Sequence, residues 1–486
     1  MSLILIHGKI CEIVEENDIN FIRMLDDELS FKIMGAQYSP AYKAGRWDGI
    51  YRVLERDLTF SYGLLSRVID LYKNNNKSVR VIDQRPEKSI NSSIDIITPL
   101  IKMGKPPYQH QLETLEAAKT NDCGIIRAAT GSGKSLSSAL ITAHFGKKTV
   151  IYVIGTDLLY QFYKFYQSIF GEEFVGIVGD GLCKIKDINI VSIWTAGQAL
   201  GLKKSQIILD SSDEEKTDPS KYEQIRDLLR TAKVHQLDEC HLASCDTIQE
   251  INKAINPEYI YGLSASPWRD DGSDLLIESI LGKKIIDISA SLLIERGLLV
   301  KPTIIFKKVP SMRVKKQYQT VYKNYIINND IRNNIVVDST VQLIEQGYKP
   351  LVLYNNINHG KNIYDKIKNK VPCVLLSGSD DLSVREKSKE DIESGKIKAI
   401  LASKIYDIGV DIPCLSGLVL AGSGKSSVRA LQRIGRVIRK YETPSYKKRR
   451  AAIVDFNDDV HYLREHSKER YKIYLSEKGF EVLWSK

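Results

Sequence analysis

The chain contains no apolar run long enough to cross a membrane, no repeat of fixed period and no long low-complexity tract. A membrane helix needs about 18 or more apolar residues in succession, and no window of the 486 residues approaches that length. The opening string MSLILIHGKI meets charge too early for a secretory signal. These absences argue against a membrane partner, and they predict a cytoplasmic protein, in the host cytoplasm if the source is viral.

Cysteine is scarce: there are seven, an odd number, and most lie in apolar runs. That pattern is typical of buried thiols in a reducing compartment, and it argues against a disulfide framework. Cys240 and Cys245 flank the single His241, but no second pair of cysteines completes the spacing of a zinc site. We therefore expect no structural zinc there.

Acidic residues are outnumbered, with 60 Asp and Glu against 70 Lys and Arg, which gives a net charge of +10. A basic surplus favours an anionic partner. The length corresponds to about three domains of ~150 residues. The hydrophobic content of 43% is sufficient for globular cores.

The apolar runs divide the chain into three blocks. Residues 1–88 combine short apolar runs with two helical patterns, which predicts a small α+β domain for binding nucleic acid. A polar, turn-rich stretch follows, and we place a linker at 89–99. In 100–298 and again in 299–486, continuous apolar runs alternate with helical patterns, as in parallel sheets that are covered on both faces. The predicted fold is α/β, with two tandem parallel-sheet lobes after the amino-terminal domain.

One segment interrupts the first lobe. Residues 202–233 are polar and acidic. We interpret them as a surface excursion with one helix at 221–233, and their role stays open.

The string AATGSGKS at 128–135 has the composition of a phosphate-binding loop, and a strand pattern precedes it while a helical pattern follows. Its glycines let the backbone wrap around phosphates, so that the amide groups point inward. Lys134 would neutralise the β- and γ-phosphates of ATP, and the Ser135 hydroxyl would bind Mg²⁺. Ala128 stands where the full pattern has glycine. The candidate nucleotide-binding residues are Thr130, Gly131, Ser132, Gly133, Lys134 and Ser135.

A second GSGKS lies at 422–426. No magnesium carboxylate follows it, and QRIGRVIR begins six residues later. We interpret it as a turn after a strand, in which Ser426 or Ser427 caps the helix that carries the arginines.

Two further strings supply charge for phosphoryl transfer. Asp238 and Glu239 follow the apolar VHQL, so both carboxylates lie at the end of a buried strand. Asp238 would hold Mg²⁺, and Glu239 would polarise the attacking water. Arg436 and Arg439 are three residues apart, as on one face of a helix, and two guanidinium groups suit a γ-phosphate in its transition state. The alternative for this arginine pair is a solvated basic face.

In this order the strings resemble the motifs of superfamily 2 helicases over about residues 105–440. DECH (238–241), SAS (264–266) and QRIGRVIR (432–439) are similar to motifs II, III and VI. The resemblance implies two RecA-like lobes that close on one ATP and step along nucleic acid. The residues that it implicates in coupling ATP hydrolysis to movement are His241, Ser264, Ser266 and Gln432.

Two more strings extend the likeness. PPYQ (106–109) resembles the Q motif, which implies that Gln109 reads the adenine edge. IYDIGVDIP (405–413) resembles motif V, which implies that Gly409 and Asp411 lie near the ribose. The chain departs from the family pattern at Gly155 in motif Ia, where proline is usual.

Within the superfamily the chain resembles the phage UvsW-type enzymes. The strings that carry this likeness are GLSASPWRDDG (262–272), the Asn-His-Gly turn at 358–360 and YSPAYKAGRWDGIYRVLE (38–55). The resemblance implies an ATP-dependent DNA helicase that unwinds or branch-migrates forks, Holloway junctions and R-loops in recombination, replication and repair. It implies ATP and Mg²⁺ as cofactors and branched DNA as partner. RNA stays open as a substrate, and we expect a monomer.

A translocase must hold the backbone of every sequence that it passes. Thr156, Thr195 and Ser403 are candidates for that track, although each could instead be a helix cap or a turn residue. The basic run 447–450 is either a phosphate clamp or a solvated loop.

The amino-terminal domain offers a further contact. Lys43 and Arg46 stand beside Trp47, an aromatic ring that could stack on an unpaired base. Trp47 could equally be the core residue of a hairpin.

Two other functions stay open at this point. One is a double-strand translocase that separates no strands. The other is a passive nucleic-acid-binding or annealing protein with a vestigial ATP site, against which the intact Lys134, Asp238 and Glu239 argue. A passive binder would show no stimulation of ATP hydrolysis by DNA.

Overall fold

The computed structural model describes residues 2–485 except for 89–92, 203–217, 268–271, 312–316, 378–379, 381, 404–411, 423, 425–426 and 445. The chain forms two compact units. The first comprises Met1–Ala128 and Gly133–Asp287, and the second comprises Ala129–Ser132 and Ile288–Lys486.

The first unit begins with an amino-terminal module, residues 2–88. Alternate side chains of its first strands are buried, including Ile4, Ile6, Cys11 and Ile13, so one face of the sheet packs against two helices. The strand order is β5-β2-β1-β6, and β3 and β4 form a separate antiparallel hairpin. The elements of the module are β1 (Ser2–His7), β2 (Ile10–Val14), α1 (Ile19–Glu28), β3 (Ser30–Lys32), α2 (Pro40–Lys43), β4 (Ile50–Arg52), β5 (Thr59–Ser61), α3 (Leu65–Asn74) and β6 (Val79–Asp83).

The module packs directly on the first lobe within the same unit. A Cβ atom on Gly63 would lie 2.6 Å from the Ser279 carbonyl oxygen and closer still to that of Glu278. Arg67 donates to the Glu278 carboxylate at 2.6 Å. Lys9 donates to carbonyls at the end of a lobe helix, among them Ile255 at 3.0 Å. Close packing and charged hydrogen bonds therefore fix the module to the lobe.

An eight-stranded sheet forms the centre of the first lobe, in the order β10-β9-β11-β8-β12-β13-β7-β14. Strands β8, β9 and β11 are buried at every position, as expected of a parallel sheet with helices on both faces. Strand β10 runs antiparallel to β9. The elements are α4 (Ile97–Lys102), α5 (Gln109–Lys119), β7 (Cys123–Ala128), α6 (Lys134–Phe145), β8 (Thr149–Val153), α7 (Thr156–Phe170), β9 (Val175–Gly179), β10 (Leu182–Lys184), β11 (Ile188–Ser192), α8 (Ile193–Ala199), α9 (Tyr222–Thr231), β12 (Val234–Asp238), α10 (Asp246–Ala254), β13 (Tyr259–Ser264), α11 (Asp274–Leu281) and β14 (Lys284–Ile288).

The second unit contains a seven-stranded parallel sheet in the order β17-β18-β16-β19-β22-β15-β23. Strand β22 is buried along most of its length and lies between β19 and β15. The elements are α12 (Ala290–Glu295), β15 (Pro302–Val309), α13 (Tyr318–Tyr322), α14 (Asp330–Glu345), β16 (Pro350–Leu353), α15 (Ile357–Ile367), β17 (Cys373–Leu376), α16 (Leu382–Glu393), β18 (Ala399–Ala402), β19 (Gly417–Val419), α17 (Ser427–Val437), β20 (Glu442–Thr443), β21 (Tyr446–Lys447), β22 (Ala451–Asp458), α18 (Leu463–Ser476) and β23 (Glu481–Ser485).

Two ion pairs are buried in the second unit. Arg332 donates to Asp458 at 2.7 Å, and Arg470 donates to Asp455 at 2.8 Å. Arg332, Asp455 and Asp458 are 0% exposed. Each charge is therefore compensated only by its partner and by neighbouring hydrogen bonds.

The predicted α/β fold with two parallel-sheet lobes is confirmed. The helix expected at 221–233 is α9, while much of the acidic excursion before it, 203–217, lies outside the described residues. Among the helices of the described ranges, none combines the length and the apolar character needed to cross a membrane.

Candidate nucleotide site and nucleic-acid face

The P-loop follows β7 and leads directly into α6. Gly131 and Gly133 have φ values of 89° and 78°, a left-handed conformation that glycine adopts without strain. The amino terminus of α6 begins at Lys134, so the first amide groups of the helix are available to an anion. The Lys134 ammonium lies 3.4 Å from the Ala128 carbonyl oxygen. Ser135 is half-buried in the first turn of α6.

The DECH carboxylates lie at the same edge of the sheet. Strands β12, β13 and β7 are parallel neighbours, so Asp238, Ser264 and Ala128 all end at one edge. Glu239 has φ 53° and ψ 57°, a strained conformation for a residue with a side chain. Such strain is typical of functional sites, where the surrounding structure holds a side chain in one direction.

Glu239 contacts two of the side chains that the sequence predicts to couple ATP hydrolysis to movement, Ser264 and His241. Its Oε2 accepts a hydrogen bond from the Ser264 hydroxyl at 3.1 Å, and it lies 3.4 Å from His241 Nδ1. The Ser266 amide in turn donates to the Ser264 hydroxyl at 3.2 Å. A chain of hydrogen bonds thus links the Glu239 carboxylate to the segment after β13.

Unequal hydrogen bonding and charge separate the pKa values of the two carboxylates, although burial raises both. Burial, followed by the charge of Glu239, raises the pKa of Asp238. Burial acts on Glu239 in the same direction, but hydrogen bonding from His241, with the charge of Lys134, holds the pKa of Glu239 below its usual range. Without a cation, the pair therefore holds one negative charge more easily than two, and that charge resides on Glu239.

The arginine segment belongs to the second unit. Arg436 lies in α17, which ends at Val437, so Arg439 is beyond the helix rather than on its face. Instead Arg439 pairs with Leu299 in an isolated antiparallel bridge. Within this unit a Cβ on Gly131 would lie 3.2 Å from the Arg439 side chain, and a Cβ on Gly435 would lie 2.9 Å from the Thr130 hydroxyl. The P-loop turn and the arginine segment are therefore closely packed.

Three family models match the chain. They are described as DNA helicase UvsW, N-terminal, over residues 9–83; Type III restriction enzyme, res subunit, over 102–269; and Helicase conserved C-terminal domain, over 332–441. The ATP-dependent DNA helicase uvsW of Enterobacteria phage T4 is 26% identical, and the match covers 93% of each chain. This chain is an ATP-dependent helicase that is similar to the UvsW-type enzymes of superfamily 2 over almost its whole length. The two helicase domains imply that the chain binds and hydrolyses a nucleoside triphosphate.

Other relatives agree with this fold. The DNA 3'-5' translocase XPB2 of Sulfurisphaera tokodaii is 24% identical over 73% of this chain and 84% of its own. The solved structure of S. cerevisiae Dbp5 bound to RNA and ADP BeF3 aligns with a TM-score of 0.53 at 12% identity, over 80% of this chain and 93% of that one. The likeness to Dbp5 concerns the fold alone, which is that of two RecA-like lobes.

Two glutamines lie at the start of α5. Gln109, assigned to adenine recognition, is exposed. Gln111 is 2% exposed and contacts the P-loop. The sequence carried only a weak signal for Gln111, a glutamine at the third helical position whose cap residue, Tyr108, is not the usual Ser or Thr. Gly409 and Asp411, assigned to the ribose, lie outside the described residues.

The predicted backbone track lies partly at the surface of the two sheets. Thr156 begins α7 just after β8, and Ser403 follows β18, so both are at carboxyl edges, and both are half-buried. Thr195 is 2% exposed within α8, so its hydroxyl is not available to a phosphate in this arrangement. Gln432 is half-buried in α17.

Trp47 in the amino-terminal module is held as a hairpin residue. Its indole N–H donates to the Ile50 carbonyl at 2.9 Å, and the ring is only partly exposed. Lys43 and Arg46 are exposed. The most exposed ring of this segment is Tyr38, at 75%, followed by Tyr51 at 42%.

Two other basic or glycine-rich strings have structural roles. In the second GSGKS, the Gly422 carbonyl accepts from Tyr322 and Asn355 at 2.6 Å each, so a carbonyl rather than an amide faces the neighbouring polar groups. In the run 447–450, Lys448 is buried and donates to the carbonyls of Pro413 and Leu415. Lys448 is therefore neither a phosphate clamp nor a solvated side chain.

Proposed function

We propose that the chain is an ATP-dependent DNA helicase that unwinds or branch-migrates branched DNA, namely forks, Holloway junctions and R-loops, in recombination, replication and repair. One observation supports this above the others. The first unit joins the end of the phosphate-binding loop, from Gly133 onward, and the Asp238–Glu239 pair to a module that is similar to the UvsW amino-terminal domain. The groups proposed to act on the phosphates and on the attacking water thus share one compact unit with a module that distinguishes this group from other helicases.

In this proposal Lys134 binds the β- and γ-phosphates, and Glu239 orients the attacking water. Ser135 and Asp238 would hold Mg²⁺, which neutralises charge as it develops on the phosphates. The donor set fits this ion, since a hydroxyl and a buried carboxylate are hard oxygen ligands and Mg²⁺ takes its other ligands from water and phosphate.

Arg436 and Arg439 are assigned to the γ-phosphate in the transition state. The packing of Gly435 against Thr130, and of the Arg439 side chain against Gly131, supports this role. Guanidinium groups can bind phosphate oxygens through two parallel hydrogen bonds, which lysine cannot do.

The nucleic-acid side of the proposal rests on two half-buried hydroxyls and on exposed side chains of the amino-terminal module. Thr156 and Ser403 follow strands at the edges of the two sheets where backbone contacts are expected. Lys43 and Arg46 add charge in the amino-terminal module, with Tyr38 as the ring that can stack on an unpaired base. A backbone-binding track predicts affinity that falls steeply with salt, with a log–log slope of about −0.9 per duplex phosphate contacted.

The proposal is tested by measuring unwinding and ATP hydrolysis on matched fork, Holloway-junction, R-loop and linear duplex substrates. We expect DNA-stimulated hydrolysis and faster strand separation on the branched substrates. Lys134→Ala and Glu239→Gln should abolish turnover while DNA binding survives, because neither side chain belongs to the DNA-binding face. Unchanged hydrolysis in either variant would contradict the assignment of the site.

The same assay separates the alternatives. A double-strand translocase would hydrolyse ATP on linear duplex and displace a triplex strand without separating the duplex. A passive binder would show no stimulation by DNA. RNA substrates and sedimentation velocity test whether the helicase acts on RNA and whether it is a monomer.

A further inference from the structure

A cluster of aromatic side chains lies in the second unit, outside the residues 332–441 that match the helicase carboxy-terminal model. The rings of Tyr318 and Tyr462 meet edge to face, with centroids 5.9 Å apart and planes at 85°. His466 lies 5.7 Å from Tyr318, and His461 lies 4.0 Å from Tyr462. Tyr322 completes the group, 6.0 Å from Tyr318. We call these five residues the aromatic cluster.

The aromatic cluster lies at the carboxyl edge of the second sheet, where the parallel neighbours β16, β19 and β22 end. Asn355 follows β16, Gly422 follows β19 and Tyr462 follows β22. The Tyr322 hydroxyl donates to the Gly422 carbonyl at 2.6 Å and accepts from Asn355 at 3.3 Å. Open α/β sheets bind ligands outside the carboxyl ends of their strands. Ser403, assigned to the nucleic-acid track, follows β18 at this same edge.

Two rings of the aromatic cluster are open to a ligand. Tyr318 is 40% exposed and Tyr462 is 41% exposed, whereas Val321 and Leu463, close to them in sequence, are buried. Tyrosine offers a large and rigid surface for stacking at a low cost in conformational entropy. Segments that are distant in the chain, α13 and the turn before α18, thus bring two such surfaces together.

The backbone at Tyr462 is strained while its ring stays exposed. Its φ is 66° and its ψ is −48°, a rare turn conformation for a residue with a side chain. Val460 and Leu463 on either side are 0% exposed, and the Arg464 amide donates to the Val460 carbonyl at 2.8 Å. The turn is therefore fixed by its buried flanks. Strain that the surrounding structure maintains in this way is typical of functional sites.

The charges near the aromatic cluster do not oppose a polyanion. Asp459 pairs with Arg464, and Glu465 pairs with Lys468. The exposed Lys323, which follows a ring of the cluster in sequence, adds a positive charge. Proteins that hold a single strand without sequence preference combine positive charge with exposed aromatic rings on which bases stack.

We propose that Tyr318 and Tyr462 form a platform in the second lobe on which an unpaired base of single-stranded DNA stacks. This inference rests on the nucleic-acid side of the proposed function. Strand separation produces bases whose faces are open to a ring, whereas the bases of a duplex cover one another. Every base has such a face, so the platform serves any sequence that the helicase passes. It adds a contact with bases to the backbone contact assigned to Ser403.

The test compares a short thymidine oligonucleotide with its abasic counterpart, which has the same phosphates and no bases. Affinities are measured by fluorescence anisotropy with the full chain and without nucleotide. Wild type should bind the thymidine strand more tightly than the abasic strand. Tyr318→Ala and Tyr462→Gly should each weaken binding of the thymidine strand about tenfold and change binding of the abasic strand by less than about twofold. Tyr462→Phe keeps the ring and should bind as wild type does.

Thermal melting separates a binding role from a packing role. Glycine adopts a positive φ without strain, so Tyr462→Gly should keep or raise the Tm while it weakens binding of the thymidine strand. A ring that only packs would lower the Tm when it is removed and leave the preference for the thymidine strand intact. Trp484→Ala is the matched control, because this ring is 53% exposed in the same unit but belongs to the edge strand β23. Its loss should leave the preference unchanged.

Two outcomes would overturn the proposal. One is an undiminished preference for the thymidine strand in both Tyr318→Ala and Tyr462→Gly. The other is an equal loss of affinity for both strands, which would assign the rings to the backbone and not to the bases. Wild type judges the proposed function separately. If wild type binds neither strand, the proposed function fails together with the platform; if it binds both and the variants keep its preference, the platform alone fails.

Discussion

Neutralising the half-buried Asp238 should make the nucleotide-free helicase more stable above neutral pH while destroying its activity. Burial and the charge of Glu239 raise the pKa of Asp238 from its usual 3.8 to about 7. Between these values the folded protein holds a proton that the unfolded chain has released. Stability therefore falls as pH rises through that window, because the folded state binds more protons. Asn does not titrate, so Asp238→Asn escapes this loss.

The size of the stability change follows from the shift in the pKa of Asp238. The interval from pH 5 to pH 8 contains about two of the three pKa units, and each unit is worth about 1.4 kcal/mol, so the ceiling is about 3 kcal/mol. Asp238 is only partly buried from solvent, and we expect about half of that, roughly 1.5 kcal/mol. For a unit of this size the difference corresponds to about 2–3 °C in Tm.

Thermal melting at pH 5, 6, 7 and 8 without nucleotide measures the difference in stability between Asp238→Asn and wild type. The Tm of Asp238→Asn minus that of wild type should grow with pH, whereas the exposed control Asp187→Asn should show no such trend. Adding Mg²⁺ and ADP should stabilise wild type and not Asp238→Asn. A Tm difference that does not change with pH would refute the argument that burial protonates this carboxylate.

Three further predictions concern packing and DNA contact. Gly63→Ala should destabilise the first unit by about 1–3 kcal/mol in chemical unfolding, because the added methyl collides with the Glu278 carbonyl. Arg332→Ala should cost about 3–5 kcal/mol by the same measurement, since it leaves Asp458 charged and buried. Tyr38→Ala should weaken fork binding by several-fold in fluorescence anisotropy, at unchanged Tm, because stacking on a base is worth about 1–3 kcal/mol.

Each of these three variants has a matched control variant elsewhere in the chain. Gly424→Ala adds the same methyl where no atom lies within 4 Å, so it should be nearly neutral. Arg464→Ala removes an exposed pair with Asp459 and should cost under about 1 kcal/mol. Trp47→Ala should lower Tm through loss of the hairpin contact. If Tyr38→Ala binds forks normally and only Trp47→Ala fails, the assignment of the exposed ring is wrong.

The parts that the sequence predicted are those that local pattern determines. Lys134 begins α6 after a strand, and Asp238 ends a buried strand, because both motifs are read from contiguous residues. The parallel sheets follow from continuous apolar runs. These elements could be predicted without knowing which distant segments of the chain contact each other.

The parts that were missed depend on contacts between distant residues. Arg332 and Asp458 are 126 positions apart, and nothing in either neighbourhood marks them as a buried pair. Gly63 is restricted by α11, more than 200 residues later. Trp47, for which the sequence left two roles open, is a local case, because an aromatic beside two cations has the same sequence whether its ring stacks on a base or its N–H closes a turn.

The docking of the amino-terminal module changes how its role can be measured. Leu275 of the first lobe is buried in the same apolar cluster as Phe21 and Leu64 of the module, and Arg67 pairs with Glu278 across that contact. Deleting the module would expose this cluster and leave the Glu278 carboxylate without its partner, so loss of ATP hydrolysis in a truncated protein would report damage to the lobe. Substitutions confined to exposed side chains avoid that damage. A change in branched-DNA affinity without a change in Tm or in basal ATP hydrolysis is therefore the result that assigns DNA recognition to the module.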